Sequence, residues 1–221
     1  NARHRTCVKT AKPSTVIEIC LPQIFVRELR PGRFEALPQV KTKVYHFAGL
    51  VYGDFDGALL AEAAKHGKVG LDVQCMLRHV EPDKSMAFHD WAEMKELLPL
   101  MDYFKTDAAE AEILTGTSDR REAARLMVEW GVKESLITHN TEVLVYDGKE
   151  YYTCPLKPLG LAGRTGRGDT TFSAYITERE RADIPQALAY ASQLVSLKMQ
   201  TPGPFKGDRA DVASFADKYY H

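Results

Sequence analysis

The chain has 221 residues, 44% of them hydrophobic and 27% charged, with 29 basic residues against 30 acidic ones and a formal net charge of -1. That balance excludes a disordered or fibrous chain and gives no electrostatic case for nucleic acid or an anionic membrane surface. No apolar run approaches a bilayer crossing, and Cys7, Cys20, Cys75 and Cys154 form neither a CxxC pair nor a disulfide framework, so a soluble protein of a reducing cytoplasm is expected.

The opening stretch carries Pro13, Pro22, Pro31 and Pro38 and no sustained period, which predicts an extended, irregular segment. From Lys43 the pattern changes to short β-rich runs alternating with helical ones. Val44 to Ala48 reads as a strand, Gly57 to His66 as a helix stopped by Gly67, and Lys68 to Val73 as a second strand. His89 to Leu98 reads as a helix with Trp91, Met94, Leu97 and Leu98 at helical spacing. Tyr103 to Lys105 is a short strand, and the helix from Ala108 to Leu114 stops at Gly116.

A helix opens around Ser118 to Glu122 and runs to Trp130, ahead of Gly131. Leu136 to Thr138 and Val143 to Tyr146 are strands, and Asp147-Gly148 before Tyr151-Tyr152 is a strong hairpin signal. Helices follow at Asp169 to Glu180, Ile184 to Met199 and Asp211 to Tyr220. Such alternation implies right-handed crossovers and a largely parallel sheet covered on both faces.

The segment richest in chemistry is Gly163-Arg164-Thr165-Gly166-Arg167-Gly168-Asp169-Thr170-Thr171-Phe172-Ser173-Ala174. Its glycines permit a tight turn, and the helix behind it starts with unpaired amides that make a seat for a phosphate or oxyanion. Asp169 at that helix start supplies a carboxylate beside the seat, the pairing that phosphoryl transfer to an alcohol needs. On spacing alone a plain capped helix is the simpler reading. The turn is neither a Walker A loop nor a dinucleotide fingerprint. Arg167-Gly168-Asp169 also spells an adhesion tripeptide, which would demand an exposed extracellular loop.

The run TGRGDTTFSAY resembles the C-terminal signature of the ribokinase-like, or PfkB, carbohydrate kinases, whose usual form is Thr-Gly-Ala-Gly-Asp. Lys105-Thr106-Asp107-Ala108-Ala109-Glu110, running on to Leu114-Thr115-Gly116, resembles that family's Asn-x-x-Glu motif, and Leu136 to Asn140 its approach to the nucleotide. Three ordered matches outweigh the capped-helix reading. The resemblance implies a three-layer α/β/α fold with a largely parallel central sheet, lacking the N-terminal part and most of the β lid. Residues 1–38 would be a lid remnant and irregular connection, and residues 39–221 the kinase core.

The resemblance further implies a phosphotransferase that uses ATP and Mg2+ to phosphorylate a hydroxyl of a sugar or related polyol such as inositol. Asp169 would be the base, with the amides of Gly166, Arg167 and Gly168 as the anion hole. Glu110 and Asp107 would serve the metal, mostly through water. Thr138, Asn140, Thr165, Pro202 and Gly203 would line the nucleotide. Asp72, followed by Gln74 and Arg78, resembles an acidic and basic pair at the same cleft, with a helix-capping Asp and a solvated Arg the equal alternative. A small-molecule substrate, no nucleic acid, no membrane and a homodimer fit this picture.

The pattern also departs from the family. Gly163 stands where an acidic residue is frequent, Arg167 replaces an alanine, and Asp107 replaces an asparagine. Thr138 to Val143 lacks both glycines of the nucleotide loop, although Asn140 tolerates a left-handed backbone. The opening strand and the sugar-binding Gly-Gly segment have no counterpart here and are expected upstream of Asn1. A catalytically inactive, ligand-binding relative is therefore the competing expectation.

Overall fold

A computed structural model describes residues 7–10, 16–20 and 42–221, the first two segments as backbone strands. The sequence expectation for the remainder of residues 1–38 lies outside the described residues. In chain order the elements are β1 (Cys7–Thr10), β2 (Val16–Cys20), β3 (Val44–Ala48), α1 (Gly57–Ala64), β4 (Lys68–Asp72) and α2 (Gln74–Leu77). There follow β5 (Arg78–Val80), β6 (Met86–Phe88), α3 (Met94–Leu97), a 3-10 turn at Leu98–Leu100, β7 (Tyr103–Asp107), α4 (Ala108–Thr115) and α5 (Arg120–Glu129). The last are β8 (Glu134–Thr138), β9 (Glu142–Tyr146), β10 (Tyr151–Pro155), α6 (Arg167–Arg179), α7 (Ile184–Lys198) and α8 (Arg209–Tyr219).

Eight strands form one sheet in the order β1-β2-β3-β4-β7-β8-β9-β10. The pairings from β2 through β8 are parallel, while β1, β9 and β10 add antiparallel edges. Alternation along each strand divides the core. Tyr45, Phe47, Val69, Leu71, Phe104, Ile137 and Leu144 face helices α1 to α5. Val44, Tyr103, Leu136, Val143 and Val145 face Phe172, Tyr175 and Ile176 of α6 and the apolar stripe of α7. The result is a mostly parallel sheet with helices on both faces. No helix among the described residues is long and apolar enough to cross a membrane.

Two local expectations fail for physical reasons. The helix expected from His89 to Leu98 shrinks to Met94–Leu97 plus the 3-10 turn. His89 is committed elsewhere: its amide donates to the Leu77 carbonyl at 2.9 Å, and its ring stacks on His79 at 4.3 Å. The two-stranded ribbon β5–β6 was invisible because its strands are three residues long and its turn places Lys84 at φ 68° without a glycine.

Helix α6 runs along one face of the sheet with its start at the carboxyl ends of the strands, and its far end is pinned at the amino ends of β4 and β8. Arg179 grips Glu134 at 2.7 and 3.0 Å, the Tyr175 hydroxyl donates to the same carboxylate at 2.6 Å, and Glu180 meets Lys68 at 2.7 Å. A paired planar guanidinium fixes direction as well as distance. The N-terminus of α6 is thereby aimed over the ends of β4 and β7.

His46 on β3 is fully buried against α6, edge-on to Phe172 at 4.8 Å, and neither ring nitrogen has a hydrogen-bond partner. Burial, aided by the Lys105 charge, lowers its pKa from 6.5 to about 3, so the ring is neutral in the fold. The unfolded chain binds this proton below pH 6.5 and the folded chain does not until about 3, so stability is lost as pH falls through that window. His46→Leu removes the orphaned nitrogens at similar volume. It should gain about 1–3 kcal/mol at neutral pH and show a shallower acid loss, both read from urea unfolding at several pH values.

Candidate active site

The turn before α6 is built from two kinds of contact. Gly166 caps the helix at φ 76°, a left-handed conformation that suits glycine. The Arg167 amide donates to the Arg164 carbonyl at 3.2 Å, so this member of the expected anion hole is engaged within the turn. The amides of Gly166, Gly168 and Asp169 have no hydrogen-bond partner among the described residues. They sit at the positive end of a 13-residue helix. Behind them the Lys198 ammonium donates to the carbonyls of Gly163, at 2.6 Å, and Thr165.

Asp169 lies in the first turn of α6 beside these amides. Its pKa is raised by burial and then by the charge of Asp72, while Lys105, Lys198 and Arg78 pull it the other way. The adhesion reading of Arg167-Gly168-Asp169 does not suit this setting, since the tripeptide forms the start of a helix packed on the sheet and not an exposed loop.

Beneath the helix start lies a buried charge cluster. The Lys105 ammonium at the end of β7 meets Asp72 at 3.0 Å and Glu110 at 3.5 Å. Burial alone would lower the lysine, but the two carboxylates outweigh it and hold it above its ordinary value. Burial pushes Glu110 up to about 7 against the pull of Lys105. Asp107 and Glu110 form a capping box at α4: the Glu110 amide donates to Asp107 Oδ1 at 2.8 Å and the Asp107 amide to Glu110 Oε2 at 2.7 Å. Lys105 also lies 3.2 Å from where a Cβ on Gly168 would stand, so a side chain there would press on the ammonium under the turn.

On the other flank, β8 and β9 are joined by His139, Asn140 and Thr141 in a tight hairpin closed by the His139 amide on the Glu142 carbonyl at 3.0 Å. Neither Asn140 nor Val143 adopts positive φ, so the missing glycines leave a different loop rather than a strained one. Asn140 Oδ1 accepts from Arg167 at 2.9 Å and Arg164 at 3.4 Å. No carboxylate is paired with either guanidinium among the described residues. Thr138 is buried, its hydroxyl donating to the Thr106 carbonyl at 3.4 Å.

Pro202 and Gly203 occupy an exposed turn after α7, with Gly203 at φ 87°. Asp72, Asp107, Glu110 and Asp169 thus converge on the start of α6, with Asn140, Arg164 and Arg167 on one side. Thr138 stays within the core and the Pro202–Gly203 turn at the periphery. Sequence reading missed Lys105 and Lys198 as site residues. Lys105 stood inside the quoted motif between two acidic positions, a signal that was available, whereas nothing local marks Lys198.

Residues 2–208 match the family model described as pfkB family carbohydrate kinase. A cytidine kinase of Thermococcus kodakarensis is 32% identical over 91 residues, 40% of this chain and 33% of that protein. The structure of a pyrophosphate-dependent kinase in the ribokinase family, complexed with a pyrophosphate analog and myo-inositol, is 33% identical with a TM-score of 0.74 over 80% of this chain and 64% of that one. An Arabidopsis thaliana ribokinase complexed with ribose and ATP, 20% identical, shares the fold at a TM-score of 0.63 over 79% of this chain and 55% of its own. The chain therefore spans about a third of the first relative and just under two thirds of the second.

Gly163 has a geometric reason to replace an acid. A Cβ there would lie 2.0 Å from the Thr201 carbonyl oxygen and 2.8 Å from that of Lys198. Gly163→Ala should force the turn away from α7 and cost about 1–3 kcal/mol, measured by chemical denaturation.

Proposed function

The chain belongs to the PfkB family of carbohydrate kinases, and on that premise we propose that its site transfers a phosphoryl group to a hydroxyl of a sugar or related polyol. The observation that carries this reading is the Asp169 carboxylate standing beside three amides without partners at the start of α6. Asp169 takes the acceptor's hydroxyl proton as that oxygen attacks phosphorus. Its raised pKa, set first by burial and then by the charge of Asp72, strengthens it as a base. The amides of Gly166, Gly168 and Asp169 hold the charge of the transferring group, and Arg164 and Arg167 add positive potential beside it.

Mg2+ fits this chain as an ion reached through water. Among the described residues no cluster of three or more candidate ligands would cage a metal. The capping box uses one oxygen of Asp107 and one of Glu110, and the second oxygen of each has no hydrogen-bond partner among the described residues. Two carboxylates with retained water suit a small hard cation. When bound, the ion neutralises phosphate oxygens.

For the donor, ATP is the reading that follows from the family resemblance. A second reading, pyrophosphate, is favoured by the compact Arg164–Asn140–Arg167 cluster beside the amides and by the glycine-free hairpin. The relative 33% identical to this chain is a pyrophosphate-dependent kinase. Both readings name the same base and anion seat. For the acceptor, the names cytidine kinase and myo-inositol support polyols and nucleosides as the panel to screen.

The full-length protein assayed with ATP and with pyrophosphate against sugars, inositols and nucleosides tests the activity. Asp169→Asn should lower kcat by about 10²–10⁴-fold, and unchanged turnover in that variant would sink the mechanism. Ligand binding without transfer to any acceptor would favour the inactive relative. Arg167→Ala should raise KM for the working donor about tenfold, the worth of one charge-assisted contact. The acid limb of kcat/KM should fall above the ordinary aspartate range, because activity is lost as pH drops through the raised pKa of Asp169. Asp72→Asn removes a charge that raises it and should move the limb to lower pH.

A further inference from the structure

The Lys198 ammonium has no carboxylate within ion-pair distance among the described residues, although the lysine is only 3% exposed. Its hydrogen bonds go to the Gly163 carbonyl at 2.6 Å and to the Thr165 carbonyl. A basic side chain in the last turn of a helix usually serves that helix's own carbonyls. Lys198 instead reaches across to the turn that precedes α6. It lies 3.9 Å from where a Cβ on Gly166 would stand, and Asp169 Oδ2 lies 3.8 Å from the same point.

Peptide geometry gives this contact a consequence. The Thr165 carbonyl and the Gly166 amide share one planar unit, and none of the described peptide bonds is cis, so C=O and N–H point in opposite directions. A cation that draws the Thr165 oxygen inward turns the Gly166 N–H outward, toward the anion seat. Without a cation, two carbonyl oxygens turned into a buried space would lack partners and favour a flipped peptide.

We propose that Lys198 is a positioning residue: its ammonium acts as a built-in cation that orients the Gly166 amide for the phosphoryl group. The inference rests on the reading of the α6 start as the phosphoryl site. It concerns a residue that touches neither donor nor acceptor and acts only through the backbone.

Chemical rescue tests it, because a small cation can replace a deleted ammonium. Wild type, Lys198→Ala and Lys198→Met are compared for turnover and, separately, for pyrophosphate binding by calorimetry. Both are measured with added ammonium chloride or tetramethylammonium chloride. Lys198→Ala should lose about 100-fold in kcat/KM, the scale of one lost anion-hole donor, and recover at least about tenfold with ammonium but not with tetramethylammonium. Lys198→Met, whose side chain fills the space, should lose as much and recover nothing. Wild type should ignore both salts.

Thermal unfolding adds a readout that is independent of activity: ammonium should raise the Tm of Lys198→Ala and leave wild type unmoved. Equal turnover and pyrophosphate affinity in wild type and Lys198→Ala would overturn the proposal, as would a loss that ammonium does not reverse in a folded variant. If wild type turns over no acceptor, the kinase reading fails, and ammonium-dependent pyrophosphate binding by Lys198→Ala still decides the role of Lys198.

Discussion

The candidate site depends on a buried ion cluster held together by a single ammonium. Lys105 sits between Asp72 and Glu110 below the first turn of α6, all three nearly inaccessible to water. Removing Lys105 would leave two buried carboxylates without a partner cation, at a cost of about 3–5 kcal/mol. Two carboxylates against one ammonium leave the cluster short of positive charge, and the amide end of α6 lies directly above. The helix dipole and the cluster therefore support each other. This arrangement explains why α6 must be aimed accurately and why its opposite end is anchored by the Glu134 and Glu180 ion pairs.

The same geometry ties the candidate site to the fold. Asp72 ends β4, Lys105 and Asp107 end β7, and Thr138 ends β8, three parallel neighbours whose carboxyl ends share one edge. Ligand sites in parallel α/β sheets gather at that edge because loops there are free to vary while the strands hold them in register. The turn from Gly163 to Gly168 completes the edge from the opposite layer. Across nearly 100 residues of sequence, the charge of Asp72 thus helps to raise the pKa of Asp169.

Most of the architecture was legible because period and punctuation agreed. The α4 helix was marked by Gly116 at its end, the α6 helix by the glycine turn before it, and the β9–β10 hairpin by Asp147-Gly148. What escaped reading depended on partners distant in sequence. The β5–β6 ribbon had no local signature, and the helix expected over His89 lost its first turn to that ribbon. Among site residues, Asp169, Glu110 and Asp107 stood out through motif spacing. Lys198 did not, since its role exists only once α7 lies against the turn before α6. The Arg167 amide, expected in the anion hole, is instead occupied within the turn, and the guanidinium holds Asn140.

The close approach of α7 to Gly163 constrains what can be exchanged. The carbonyls of Lys198 and Thr201 fill the space that any side chain at position 163 would need, and the Lys198 ammonium uses the oxygen of the same glycine. The two positions are therefore structurally coupled. A substitution that places an acid at 163 must move the end of α7 outward and give up the contact from Lys198, so exchange of this residue alone leaves a misshapen turn. Glycine at one position and lysine at the other thus act as a single unit of design, to be exchanged together or not at all.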